Sequence, residues 1–258
     1  VTDQLPAPVE VTAPGLPPGL WRPKLEAAPS PRLLPVVAGQ PVTMIAPHPD
    51  DESLGAGGLL HRLSAAGCSL TVAIVTDGAA GYPSANPAQR QELVRTRRRE
   101  TWAAIRELGR HGAQPVFLDI PDGEATEHEQ EITQRLADLL PDGGLVLAPW
   151  PDDPHPDHQA VGRAARIAAA RAGLELWQYP IWMRHSMRPD DARVDDSTLS
   201  VVCLSTAERQ AKRRAIQAHV SQIRSPFTGY GPVLPDHVLE LFADGLEPFF
   251  IPRNPQLP

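Results

Sequence analysis

Apolar residues fall in short, nearly unbroken blocks through the middle of this chain, and between the blocks they recur every three or four positions. The blocks at 42–46, 70–76, 115–120, 145–149, 174–179 and 199–204 read as strands, being short and bounded by turn residues. The segments between them read as helices. One spans 56–66, with Leu59, Leu60 and Leu63 on one face, and others span 89–108 and 129–140. A fourth spans 159–172, with Val161, Ala164, Ala165 and Ala168 in helical phase, and a fifth spans 205–222, opened by a Ser205-x-x-Glu208 capping box. Strands apolar on both faces, alternating with helices, predict an α/β domain with a mainly parallel sheet and helices on both faces. Ligands of such sheets bind beyond the carboxyl ends of the strands. The residues just after positions 46, 76, 120 and 149 are therefore expected to meet in one crevice.

The ends of the chain break this pattern. There are 30 prolines in 258 residues, and they crowd both ends. Residues 1–41 are predicted to be a proline-rich N-terminal arm, neither regular helix nor inner strand, because each proline fixes φ and removes a hydrogen-bond donor. Trp21, Leu33 and Leu34 suggest that part of it docks. Residues 42–258 then form the domain, with a core at 42–222 and a C-terminal tail at 223–258. Phe227, Tyr230, Phe242, Phe249 and Phe250 should make that tail pack, since aromatic surface is costly to leave in water.

Composition narrows the function classes. A formal charge of −7 disfavours nucleic acid and anionic membrane surfaces as partners. The basic runs at 95–99 and 212–214 fall in predicted helices and read mainly as solvated faces. No apolar run reaches the ~20 residues that span a bilayer, and no basic-then-apolar leader is visible. Two distant cysteines, Cys68 and Cys203, make neither a disulfide framework nor a paired zinc site. A cytoplasmic setting is the expectation; a homo-oligomer is left open.

The chemistry lies in two loops. His48-Pro49-Asp50-Asp51-Glu52 follows the first predicted strand, and Asp152-Asp153-Pro154-His155-Pro156-Asp157-His158 follows the fourth. Imidazole and carboxylate are good zinc ligands, and catalytic zinc uses three protein ligands plus water. His48 and Asp51 would come from the first loop and either His155 or His158 from the second. Asp50 would then be free to take a proton from water, and the remaining histidine to stabilise an oxyanion or protonate a leaving amine. Asp157 could fix one imidazole's tautomer. The plain alternative is a pair of proline-rich turns, but turn composition alone does not put both at strand ends.

At these residues the sequence resembles the PIG-L/LmbE-like deacetylase family. The match runs through APHPDDE at 46–52, TDG at 76–78, RTRRRE in the long helix, PDG at 121–123 and HPDH at 155–158. It extends to Lys212, Ala215, His219, Ser221 and Gln222. The resemblance implies a Rossmann-like fold and a zinc-dependent hydrolase that removes an N-acetyl group from a small GlcNAc-containing molecule. It implies His48, Asp51 and His158 as ligands and Asp50 as general base. It also implies His155 as oxyanion stabiliser with Asp157 as its partner, and Arg97 and Asp122 as sugar contacts. Arg97 sits three residues before Glu100, and an exposed pair between the two is the bland reading. A His-Asp-His site would also take Fe(II) or Mn(II).

Other readings compete. A related branch of the family cleaves amides of thiol conjugates. Gly55-Ala56-Gly57-Gly58 followed by Asp77 is a weak dinucleotide-binding signal, since position 60 is leucine and the glycines do not directly follow the strand. A metal-binding protein without hydrolase activity is the third.

Overall fold

The computed structural model describes residues 14–31, 38–109 and 113–252. The elements, in chain order, are α1 (Arg22–Ala27), β1 (Pro41–Ala46), α2 (Asp51–Ala65), β2 (Ser69–Thr76), α3 (Pro87–Leu108) and β3 (Gln114–Ile120). There follow α4 (Glu129–Leu139), β4 (Leu145–Pro149), α5 (Pro156–Arg171), β5 (Glu175–Tyr179) and α6 (Met183–Ser186). The last are β6 (Leu199–Cys203), α7 (Thr206–Ala218), α8 (Val220–Ile223), α9 (Asp236–Leu239) and β7 (Leu246–Phe250). The seven strands form one sheet in the order β3-β2-β1-β4-β5-β7-β6.

Strands β1 to β5 pair in parallel, as their two-sided apolar character requires. The sheet is filled on both faces. On one side Leu54, Leu59, Leu60 and Leu63 of α2 and Ile105 and Leu108 of α3 pack on Met44, Val72 and Leu147. On the other, Ile132 and Leu136 of α4 and the alanine-rich face of α5 pack on Ile45, Ala73 and Val146. The chain winds outward one way through β1, β2 and β3, then restarts at β4 beside β1 and proceeds the other way. The crevice between the carboxyl ends of β1 and β4 is thus the switch point where open α/β sheets bind ligands.

Three departures from the expected elements matter. Helix α2 starts at Asp51, not near position 56. The consecutive acids Asp51 and Glu52 suit the positive end of a helix, so helix forms directly out of the ligand loop. The expected single helix at 205–222 breaks at His219, where φ −81° and ψ 58° leave the helical region, and resumes as α8. Strand β7, in the C-terminal tail, has no counterpart among the expected strands; it runs antiparallel between β5 and β6.

Part of the N-terminal arm is docked. Trp21 is fully buried with Leu25 against Met183, Met187 and Phe250, and its Nε1 donates to the Met187 carbonyl at 2.8 Å. Leu33 and Leu34 lie outside the described residues. No helix of the described residues is long and apolar enough to cross a membrane.

The glycines of 55–58 lie inside α2, not before its first turn, so they do not form a phosphate cradle. A Cβ on Gly55 would come within 2.2 Å of the Tyr179 ring. Close packing of α2 on β5 explains that glycine, and the dinucleotide reading loses its support.

Candidate metal centre

The four loops beyond β1, β2, β3 and β4 meet, as expected. The Thr76 amide donates to the Pro47 carbonyl at 2.8 Å and the Asp77 amide to the Ile120 carbonyl at 3.0 Å. Asp122 Oδ2 accepts from the Ala80 amide at 2.8 Å, and Asp77 Oδ1 from the Asp122 amide at 3.3 Å. The loop after β4 is joined through histidines. The His48, His155 and His158 rings stand 4.8–5.3 Å apart, centroid to centroid.

At the centre are three donor atoms. Asp51 Oδ2 lies 3.3 Å from His48 Nδ1 and 3.3 Å from His158 Nε2, and these two nitrogens lie 3.3 Å apart. A tetrahedral cation with bonds of 2.0–2.1 Å has ligand–ligand edges of about 3.3–3.4 Å. The triangle therefore has the size of one face of such a site, and these residues could hold a metal.

Two further groupings, His48 with His155 and His158, and His48 with Asp122 and Asp157, each offer atoms within 4.8 Å of one another. The second is better read as support. His48 Nε2 lies 3.0 Å from Asp157 Oδ2 and 3.2 Å from Asp122 Oδ1, hydrogen-bonding distances for an imidazole N–H. A proton held there leaves the Nδ1 lone pair pointing into the triangle.

A second carboxylate stands close to His158 on the other side. Its Nδ1 lies 3.1 Å from Asp153 Oδ1. Asp153 is fully buried, and its Oδ2 accepts from the Ile181 and Trp182 amides, both at 2.8 Å. Sequence reasoning assigns Asp153 no role.

Carboxylates outweigh cations around these imidazoles, and the titration of the groups follows. Burial works against protonating His48, but Asp122, Asp157 and Asp51 together raise its pKa well above the ordinary value. Burial likewise opposes a charged His158, yet Asp51 and Asp153 hold its pKa up, at about 9. Burial pushes Asp51 the other way, but His158 and His48 keep it far below the usual carboxylate range. A pocket that favours positive charge this strongly, with oxygen and nitrogen donors only, is chemically suited to a divalent ion such as zinc.

Asp50 precedes α2 with φ at 137°, in a region that residues with a side chain rarely adopt. Its amide donates to Glu52 Oε2 at 3.0 Å, and its carbonyl opens the helix by accepting from Ser53 and Leu54, both at 2.9 Å. Burial, and then the Asp51 charge, push the Asp50 carboxyl up to about 8. Glu52, also fully buried, lies 2.9 Å from His219 Nε2, which gives His219 a place behind the ligand loop.

His155 is the N-cap of α5. Its Nδ1 accepts from the Asp157 amide at 3.2 Å, so a neutral ring carries its proton on Nε2. Burial and the neighbouring His158 and His48 hold its pKa down, at about 3. The expectation that the Asp157 carboxylate partners His155 is corrected here. That carboxylate instead accepts from the Gly123 amide at 2.9 Å and the Ala125 amide at 3.2 Å and faces His48. Asp157 hydrogen-bonds His155 through its main-chain N–H, one of the first-turn donors a helix leaves unsatisfied, and its carboxylate acts on that ring through charge.

Arg97 is buried, at 2% exposure, which removes the reading of an exposed pair with Glu100. Glu100 bonds the amide and hydroxyl of Ser221 instead, at 2.8 and 2.7 Å. The Arg97 guanidinium packs beside Gly78 and Gly81, where an added Cβ would come within 2.7 Å of it. Its Nε and Nη2 find no hydrogen-bond partner among the described residues.

A profile of the family described as PIG-L, GlcNAc-PI de-N-acetylase, matches residues 43–169. Over 137 residues the chain is 31% identical to the diacetylchitobiose deacetylase of Thermococcus kodakarensis, covering 52% of this chain and 50% of that protein. Over 148 residues it is 32% identical to a Bacillus cereus protein named "Probable N-acetyl-alpha-D-glucosaminyl L-malate deacetylase 2", covering 52% of this chain and 63% of the relative. The match thus spans half to just under two thirds of these curated relatives. Among solved structures, a conserved protein from Thermus thermophilus, TT1542, aligns with a TM-score of 0.60 and 29% identity. That alignment covers 84% of this chain and 96% of TT1542.

Proposed function

This chain belongs to the PIG-L family, and from that premise we propose that it hydrolyses the N-acetyl group of a small glucosamine-containing molecule with the help of a metal ion. The observation that carries the reading is the equal-sided 3.3 Å triangle of His48 Nδ1, Asp51 Oδ2 and His158 Nε2 at the sheet's switch point. The names of the two curated relatives support an N-acetylglucosaminyl substrate.

His48, Asp51 and His158 would hold the metal, with zinc as the first assignment and Fe(II) or Mn(II) compatible with the same donors. When bound, it would act as a Lewis acid and bring the pKa of a water down to roughly 7.

The protein's own groups do the rest. Asp50, which precedes α2 next to the ligand Asp51, would accept a water proton on its carboxylate and pass it to the departing amine. His155, neutral and with Nε2–H free of the helix cap, donates a hydrogen bond to the oxygen that gains charge as the amide carbonyl is attacked. Asp157 and Asp122 hold His48. The second lone pairs of Asp122 and the donor-rich Arg97 are available to sugar hydroxyls.

The test begins with protein stripped by a chelator and reloaded with zinc, assayed for acetate release from GlcNAc and its conjugates. Release should return with zinc. Asp50→Ala should lose at least about 100-fold in kcat while binding the metal as before. Full activity in the variant, or no metal bound by the wild type, would overturn the proposal.

A further inference from the structure

From the end of α8 the chain forms a surface loop with closed ends. The Leu234 amide donates to the Gln222 carbonyl at 2.9 Å, so residues 223–233 leave and return at one point. This is the build of an Ω-loop, a compact excursion of 6–16 residues packed by its own side chains. Its root is tied to the metal loop, because the Gln222 side-chain amide donates to the carbonyl of Pro49, between His48 and Asp50. The neighbouring Ser221 carbonyl accepts from the Tyr82 hydroxyl at 2.9 Å.

The loop carries aromatic side chains out from that root. Phe227 and Tyr230 both meet the buried Tyr82 ring edge to face, with centroids 5.2 and 5.9 Å away. Tyr230 is nevertheless 39% exposed, one of few large apolar side chains so open among the described residues. It is presented by a turn in which its amide reaches the Phe227 carbonyl at 3.4 Å and Gly229 adopts φ +88°, a conformation that favours glycine. On the inner side, a Cβ on Gly81 would stand 3.4 Å from Val233 and 2.7 Å from Arg97 Nη2. The loop therefore shares a wall with a buried guanidinium short of acceptors, itself a sign that a polar ligand belongs there.

We propose that the 223–233 loop forms a recognition subsite at the rim of the metal centre. In it Tyr230 stacks on a ring carried by the substrate beyond its N-acetylated sugar. Resting on the deacetylase reading above, this defines the substrate class as ring-bearing conjugates of GlcNAc. The shared chemistry is a flat face of C–H or π character, which a second pyranose or an aromatic aglycone would supply.

Two ringed probes, N,N'-diacetylchitobiose and an aryl N-acetylglucosaminide, separate these sources, with GlcNAc as control. The zinc-loaded wild type should prefer at least one ringed probe. Tyr230→Ala should lower kcat/KM on it roughly 3- to 10-fold, through KM, and leave GlcNAc unchanged. Tyr230→Phe should keep the preference. Equal losses on ringed and ringless substrates, or no loss on either ringed probe, would overturn the subsite. If no probe is hydrolysed, the deacetylase reading fails but the subsite is still tested by calorimetric titration of the same three compounds. Weaker binding of a ringed probe to Tyr230→Ala, with GlcNAc unaffected, upholds it; equal binding to both proteins, or no binding advantage of a ring, overturns it.

Discussion

Of the residues around the metal triangle, Asp153 is the clearest case of a group whose role depends on folding. Its carboxylate is held by three main-chain amides, those of His155, Ile181 and Trp182, and faces His158 Nδ1 at 3.1 Å. A carboxylate there sets the tautomer that leaves Nε2 free and makes the ring a stronger donor. Asp153→Asn keeps the shape and removes the charge. Zinc affinity, measured by competition with a chelator, should fall about 10- to 100-fold; unchanged affinity would remove Asp153 from the support of the site. In the sequence Asp152-Asp153-Pro154 reads as an ordinary turn, because the two amides that hold Asp153 Oδ2 lie 28 and 29 residues downstream. His48, Asp50, Asp51, His155 and His158 stood out because such residue types sit in two short loops right after strands. Arg97 looks like its neighbours in RTRRRE, yet Leu93, Arg97, Thr101, Ala104 and Leu108 form one buried helical face. Helical phase was the signal that could have singled it out.

At the scale of elements, all six expected strands and four of the five expected helices were readable because their apolar patterns are long or strong. Helix ends were less so, since caps compete with loop geometry. The Ser205–Glu208 box is a case where the local signal did hold: Glu208 accepts from the Ser205 amide at 2.7 Å, and its amide donates to Ser205 Oγ at 3.4 Å. Glu208 also takes a two-pronged bond from Arg62 of α2, at 2.8 and 2.7 Å, and this pair is the main reason its pKa falls to about 2. A folded pKa below the unfolded one stabilises the protein above the unfolded value, near 4.3, and the gain is lost as pH falls through about 2. Glu208→Gln should therefore lower the melting temperature at neutral pH. The gap to wild type should narrow as the pH is taken from about 5 towards 2. A gap constant across that range would mean the charge contributes nothing and only the cap matters.

Over the whole molecule, the C-terminal tail is bound into the site's foundation through one buried ion pair. Glu247 of β7 accepts from the Gly58 and Leu59 amides within α2, at 2.8 and 2.9 Å, and from Lys212 Nζ of α7 at 2.8 Å; Lys212 also donates to the Leu54 carbonyl at 2.7 Å. Side chains inserted into the middle of α2 in this way tie the helix that begins at Asp51 to both α7 and the antiparallel strand. Nothing local announces this: Lys212 lies in a basic run that reads as solvated, and β7 is a five-residue strand in a proline-rich tail. Both become intelligible only when the tail closes on α2. Removing one partner leaves a buried charge uncompensated, which costs about 3–5 kcal/mol, whereas replacing both with apolar groups of similar volume is often neutral. Glu247→Ala should accordingly be strongly destabilised in urea. A Lys212→Met, Glu247→Leu double variant should recover part of the loss, but the Gly58 and Leu59 amides then lose their acceptor and hold recovery short of wild type. Complete recovery would show that the helix closes its own bonds without Glu247. A double variant no better than the single would show that the amide contacts, and not the Lys212 charge, are what the carboxylate stabilises.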